Sequence, residues 1–250
     1  MADMIEVAGL RVVLPPAVTV LDGIDLTVRQ GEFLVILGRS GAGKTTLLRA
    51  LNRLVEPTAG TVRVAGHPVT GARGPALRQA RRRMGMVFQQ FNLVRRATVM
   101  DNVLAGRLGW VPALPSLFTR FPARDRALAR DCLAQVGLVH MAERRADRLS
   151  GGEQQRVGIA RALAQAPSVI LADEPTASLD PALTADIMDL LKRINVERSL
   201  TLVVSQHQLE TALAYATRVV GLRRGRVCFD GPPAALTPAA AAAIYAAEGP

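Results

Sequence analysis

At 250 residues the chain has the length of one large domain or two small ones and can bury roughly 70–75% of its unfolded surface. Its composition, 49% hydrophobic and 21% charged, excludes a disordered chain. No apolar run approaches the ~18–20 residues of a membrane helix. The net charge of +10 is concentrated in arginine clusters such as Arg81–Arg83, Arg95–Arg96, Arg144–Arg145 and Arg223–Arg224, which fit solvated surface, an anionic membrane face or nucleic acid. One Trp, two Tyr and six Phe leave little material for stacking bases.

Cys132 and Cys228 are too few and too far apart for a disulfide framework, which suits a reducing compartment. The opening MADMIEV carries two acids and no basic stretch, so no secretion signal is expected there. Short strands follow: IEVAGLRVVL, VTVLDGIDLTV and EFLVIL, divided by Pro15–Pro16, Asp22–Gly23 and Gln30–Gly31. Lys44 to Leu54 predicts a helix with Leu47, Leu48, Leu51 and Leu54 on one side. TVRVAG and Met84 to Phe88 read as further strands.

From Gln89 to Leu149 β-branched runs become scarce and helical patterns take over, around the stretch GWVPALPSLFTRFP. Strands and helices then alternate: SVILAD, a helix from Pro181 to Ile194, SLTLVVS, and a helix from Gln208 to Ala216. RVVGLRRGRVCFDG predicts a hairpin turning at Arg224–Gly225, and the Ala-rich tail a last helix. This alternation predicts an α/β domain with a largely parallel, buried sheet and a helical insertion.

Five stretches bear on chemistry. GRSGAGKT (Gly38, Arg39, Ser40, Gly41, Ala42, Gly43, Lys44, Thr45) follows a strand and opens a helix, the context of a phosphate-binding P-loop. Backbone N–H groups and the helix dipole favour the phosphates there, Lys44 can reach the β- and γ-phosphates, and Thr45 can ligate Mg²⁺. VILADE ends an apolar strand in two acids: Asp173 is placed for Mg²⁺ and Glu174 to orient or deprotonate a water. LSGGE (Leu149 to Glu153) has capping-box spacing between Ser150 and Glu153, but a cap does not require Gly151 and Gly152. Asp180–Pro181 reads as an N-cap with Pro at N1, and Ser205 and Gln208 around His207 also have capping-box spacing.

Taken in order, these motifs resemble the ATP-binding subunit of ABC transporters over nearly the whole chain. The resemblance implies an α/β P-loop NTPase of ABC type. It would be a single nucleotide-binding domain over 1–250, with a mostly parallel central sheet, an antiparallel β subdomain and a helical subdomain inserted at about 91–160. It also implies an ATPase that binds ATP and Mg²⁺. Gly38 to Thr46 would hold the phosphates, with Thr45, Gln89 and Asp173 on the metal, and Glu174, His207 and Gln89 in catalysis. Ser150, Gly151, Gly152, Glu153 and Asp180 would meet the nucleotide of a second copy, because this family sandwiches ATP between two subunits. Expected partners are therefore a homodimer mate, transmembrane permease subunits and, through them, a periplasmic solute-binding protein, with no nucleic acid. The expected place is peripheral, on the cytoplasmic face of the inner membrane.

Two positions depart from the family pattern. Glu153 stands where glutamine is usual, and Leu14 falls where an aromatic residue stacks on adenine. Within the family the resemblance is closest to bacterial phosphonate importers, through FQQFNLV, NVLAGRLG, SLFTRFP, ILADEPTASLDP, SQHQLETALAYATRVVGLRRG and FDGPP. Relatives that import phosphate, phosphite or amino acids share much of this pattern. ABC ATPases acting on ribosomes or DNA usually carry two motif sets or long insertions, and this chain has neither. In the helical segment Phe91, Leu93, Trp110, Phe118 and Phe121 are candidates for apolar contacts with a permease helix.

Overall fold

The computed structural model describes residues 3–111 and 121–246. Two sheets organise them. The first is antiparallel, in the order β2-β1-β4-β5, from β1 (Asp3–Leu14), β2 (Val18–Arg29), β4 (Ala59–Val64) and β5 (His67–Pro68). The second has the order β10-β9-β3-β8-β7-β6, from β3 (Phe33–Leu37), β6 (Met84–Val87), β7 (Val169–Asp173), β8 (Thr201–Gln206), β9 (Arg218–Arg223) and β10 (Arg226–Gly231). Its β9-β3-β8-β7-β6 portion is parallel, and β10 adds an antiparallel edge.

The central strands are continuous apolar runs because both faces are covered. Phe33, Val35 and Leu37 of β3 join one buried cluster while Leu34 and Ile36 join the other. The same alternation splits Ile170 and Ala172 from Val169 and Leu171 on β7. Each large apolar side chain fully buried this way contributes about 1.5–3 kcal/mol. The second cluster also takes Val7 and Leu26 of the antiparallel sheet and Leu47, Leu48 and Leu51 of helix α1 (Lys44–Leu51).

The first cluster lies under the helical part. Helices α3 (Val99–Leu104), α4 (Ala123–Gln135) and α5 (Gly151–Ala164) contribute Val103, Leu133, Cys132, Val157 and Leu163, and α6 (Pro181–Arg198) adds Ile187 and Leu191. Burial pushes the Cys132 thiol up to about 11, which makes it a packing residue. Arg107 ties this part together by an ion pair to buried Asp125 at 2.9 Å. Beside it the Trp110 ring meets the guanidinium groups of Arg82 and Arg107, 4.9 and 5.1 Å from the ring centre. Its indole N–H donates to the Gln165 carbonyl at 3.0 Å.

The elements depart from the sequence reading in three places. Helix α1 ends at Leu51 instead of Leu54, because Arg53 turns with φ 59° and the Arg49 carbonyl accepts the N–H groups of Leu54 and Val55. Helix α2 (Gly74–Arg82) carries no apolar stripe, with only Ala80 buried. Ser205 caps nothing: it lies in β8, and α7 (Leu209–Tyr215) starts after Gln208 without a side-chain cap. The tail helix forms as α8 (Pro238–Tyr245).

Candidate functional site

Parallel pairing brings the carboxyl ends of β3, β8 and β7 to one edge of the sheet, with Leu37 beside Gln206 and Asp173 beside Ser205. In such sheets the crevice beyond that edge is where ligands bind. The loop Gly38–Gly43 leaves β3 there and feeds the N-terminus of α1. It must pass close under β9: a Cβ on Gly38 would lie 2.5 Å from the Leu222 carbonyl oxygen. Gly43, at φ 103°, adopts a backbone that L side chains avoid, and Leu21 and Val20 press on it.

Lys44 opens α1 with only 4% of its side chain exposed. A buried ammonium needs partners. It donates to the Gly38 and Arg39 carbonyls at 2.8 and 3.1 Å, and pairs with Glu174 Oε1 at 3.2 Å. The other Glu174 oxygen lies 3.6 Å from His207 Nδ1. Glu174 is held in the left-handed region at φ 42°, with its N–H donating to Ser205 Oγ at 2.9 Å.

Asp173, the last residue of β7, is buried. Its Oδ1 accepts from Thr45 Oγ1 at 2.8 Å and from Ser205 Oγ at 3.0 Å. Hydrogen bonds to a charged group are worth about 1.5–3 kcal/mol each, enough to offset much of the cost of burying it. Gln206 donates to Thr176 Oγ1 at 2.9 Å, which steadies the segment leading from Glu174 to Asp180. Lys44, Thr45, Asp173, Glu174 and His207 thus form one cluster.

The sequence reading missed Ser205, whose spacing to Gln208 looked like a cap. The signal available was position, a hydroxyl near the end of an apolar strand that pairs with one ending in Asp173. Gln89 and Leu14 lie outside the cluster's hydrogen-bond network. Gln89 is exposed beyond the end of β6. Leu14 ends β1 with 37% exposure, paired with Val18, while Val20 and Leu21 make that hairpin's contacts with Gly43.

The second loop is differently made. Ser150 caps α5 in a complete capping box: its Oγ accepts the Glu153 N–H at 3.4 Å, and Glu153 Oε2 accepts the Ser150 N–H at 2.7 Å and its hydroxyl at 2.9 Å. Those bonds, the Ser150 N–H first, hold the Glu153 carboxyl below the usual range. The charge at this unusual position is thus spent on the helix start. A Cβ on Gly152 would lie 3.2 Å from Leu183, and one on Gly151 3.5 Å from Leu179, so the loop lies against the start of α6. Asp180 caps that helix, accepting the Leu183 N–H at 2.9 Å. Among the described residues no hydrogen bond or ion pair joins Ser150–Glu153 to the Lys44–Glu174–His207 cluster.

Of the helical segment's candidates, Leu93 and Phe121 pack against the first core cluster and Trp110 is engaged by Arg82, Arg107 and Gln165. Phe91 is partly exposed. Phe118, with most of the SLFTRFP stretch, lies outside the described residues.

A P-loop at the carboxyl edge of a parallel sheet, with strand-terminal acids and a histidine around its lysine, defines a nucleotide-hydrolysing cassette. Residues 21–177 match the ABC transporter family profile, and the chain belongs to that family and is an ATPase. It is 51% identical to the phosphonates import ATP-binding protein PhnC of Shouchella clausii, over 97% of this chain and 91% of that protein. It is also 51% identical to PhnC 1 of Halalkalibacterium halodurans, over 92% of this chain and 89% of that one. Among solved structures, a dimeric bacterial ABC transporter cassette superposes with a TM-score of 0.80 at 34% identity, over 92% of this chain and 99% of that chain. A dimeric cassette in a post-hydrolysis state with ADP and Pi gives 0.78 at 33% identity, over the same shares.

Proposed function

We propose that this chain is the ATP-hydrolysing subunit of a bacterial importer that energises phosphonate uptake. The observation that carries the chemistry is the line Lys44–Glu174–His207 at the mouth of the P-loop. The cargo reading rests on about half of all positions being shared with phosphonate importer subunits across nearly the full chain.

In this reading the backbone of Gly38 to Gly43, with Lys44 and Thr46, holds the phosphates of ATP. Thr45 and Asp173 offer oxygen donors already 2.8 Å apart, which suits a hard cation such as Mg²⁺. Mg²⁺, when bound, neutralises charge on the β- and γ-phosphate oxygens. Gln89 connects that side to the helical segment. Glu174 orients and deprotonates the attacking water, and His207 fixes the carboxylate and faces the γ-phosphate.

Within a single domain over 1–250, the segment at about 91–160 acts as the inserted helical subdomain that docks the permease. A second copy of this chain brings its Ser150, Gly151, Gly152 and Asp180 to the nucleotide held by the first. A solute-binding protein acts through the permease, and the chain sits peripherally on the cytoplasmic face of the inner membrane. Among the described residues no helix is long and apolar enough to cross a membrane. Reconstitution with the cognate permease and binding protein tests this. Phosphonate-loaded binding protein is expected to stimulate ATP turnover. Stimulation by another solute, with no response to any phosphonate, overturns the cargo and leaves the ATPase standing.

A further inference from the structure

Helix α8 follows the β9–β10 hairpin and is capped by Thr237, which accepts the Ala240 N–H at 3.2 Å. Its Ile244 is 1% exposed and sits on β9 where Gly221 has no side chain; a Cβ there would lie 2.5 Å from Ile244 Cδ1. That anchor sets the next residue. Tyr245 donates its hydroxyl to the backbone carbonyl of His207 at 2.9 Å, across 38 positions of sequence.

His207 needs such support. It lies just beyond β8, and its side chain is 45% exposed while reaching Glu174 at 3.6 Å. Among the described residues its N–H meets just the Gln206 side chain, at a long 3.3 Å. Among the described residues, the Tyr245 hydroxyl is the one side-chain donor on the His207 carbonyl. Burial pushes the Tyr245 phenol up, so it remains a donor.

We propose that Tyr245 is a positioning residue for His207, and that α8 braces the histidine against Glu174. The inference rests on the role given above to His207. The brace works through a bond 2.9 Å long from an anchored helix, and that bond acts on the turn between β8 and α7 and on no P-loop residue.

The test uses the full chain with steady-state ATP turnover, nucleotide affinity and hydrogen exchange. A neutral hydrogen bond of this kind predicts that Tyr245→Phe lowers kcat about threefold to tenfold. The KM for ATP should stay unchanged, and exchange at residues 206–209 should quicken. Ile244→Ala, which loosens the anchor, should reproduce the quickened exchange at 206–209, while its KM also reads the cavity that Ile244 lines beside Arg39–Ala42. Parental kcat in Tyr245→Phe, a KM that rises in step with the loss, or unchanged exchange at 206–209 each overturn the brace. His207→Ala separates the two readings. Parental turnover in that variant removes the histidine's role; lost turnover there beside a normal Tyr245→Phe removes the brace alone.

Discussion

Gly38–Gly43 and Ser150–Gly152 are both small-residue loops that open a helix, α1 in one case and α5 in the other. Around the first, strand ends deliver Asp173, Glu174 and His207 to within hydrogen-bond or ion-pair range of one another or of α1. At the second, the charged side chain bonded to the loop among the described residues is Glu153, and it turns back on Ser150. One loop is equipped to cleave a phosphoanhydride, while the other offers N–H groups and a helix dipole with no chemistry of its own. That division fits the function proposed above, in which the second loop serves a nucleotide held on a second copy.

The comparison breaks most visibly at Glu174. Glu174→Gln should cut turnover about 10²–10⁴-fold while keeping ATP bound, measured by steady-state hydrolysis beside nucleotide affinity. It should also trap an ATP-bound dimer, seen by size-exclusion chromatography. Next comes Lys44→Ala, which removes a charge-assisted contact and should weaken ATP binding by about ten- to a hundredfold in calorimetry. Ser150→Ala, by contrast, should leave the affinity of the isolated subunit unchanged and lower only turnover of the dimer. If Ser150→Ala weakens binding to the monomer, the division between the loops is wrong.

Smaller effects sharpen the contrast. If Leu14 stands in for the stacking aromatic of the first cradle, Leu14→Tyr should tighten ATP binding by up to about tenfold, since base stacking is worth ~1–3 kcal/mol. Unchanged affinity would place the base against another residue. Smallest is Glu153→Gln. A carboxyl held below its usual range stabilises the fold above the unfolded pKa and loses that contribution as pH falls through the folded value. The stability gap between parent and Glu153→Gln in urea unfolding should therefore be full at neutral pH. It should shrink below the ordinary glutamate value of about 4.3.

Much of the first cradle is legible in the chain because its parts are local. FLVIL, the glycine loop and the leucine stripe of α1 are consecutive, and VILADE places two acids at a strand end. The strands of the antiparallel sheet and the hairpin at Arg224–Gly225 are legible from apolar runs and turn residues, while the antiparallel pairing of that sheet comes only from the family resemblance. What escapes is non-local or unpatterned. Helix α2 buries only Ala80, so it leaves no period to read. Ser205 looked like a cap because capping is a matter of spacing, whereas its bonds to Asp173 and Glu174 depend on which strands pair. The contact of Tyr245 with His207 lies in a tail whose composition carries no signal beyond helix propensity.

Trp110 is the chain's one tryptophan, and its ring meets Arg82 of α2 and Arg107 of the helical part. The protein therefore carries a native fluorophore at the joint between its core and its helical part. Displacement of either cation would alter the charge near the indole and so the colour of its emission. Whether the helical part moves during a catalytic cycle can be tested by stopped-flow light alone, with no label attached.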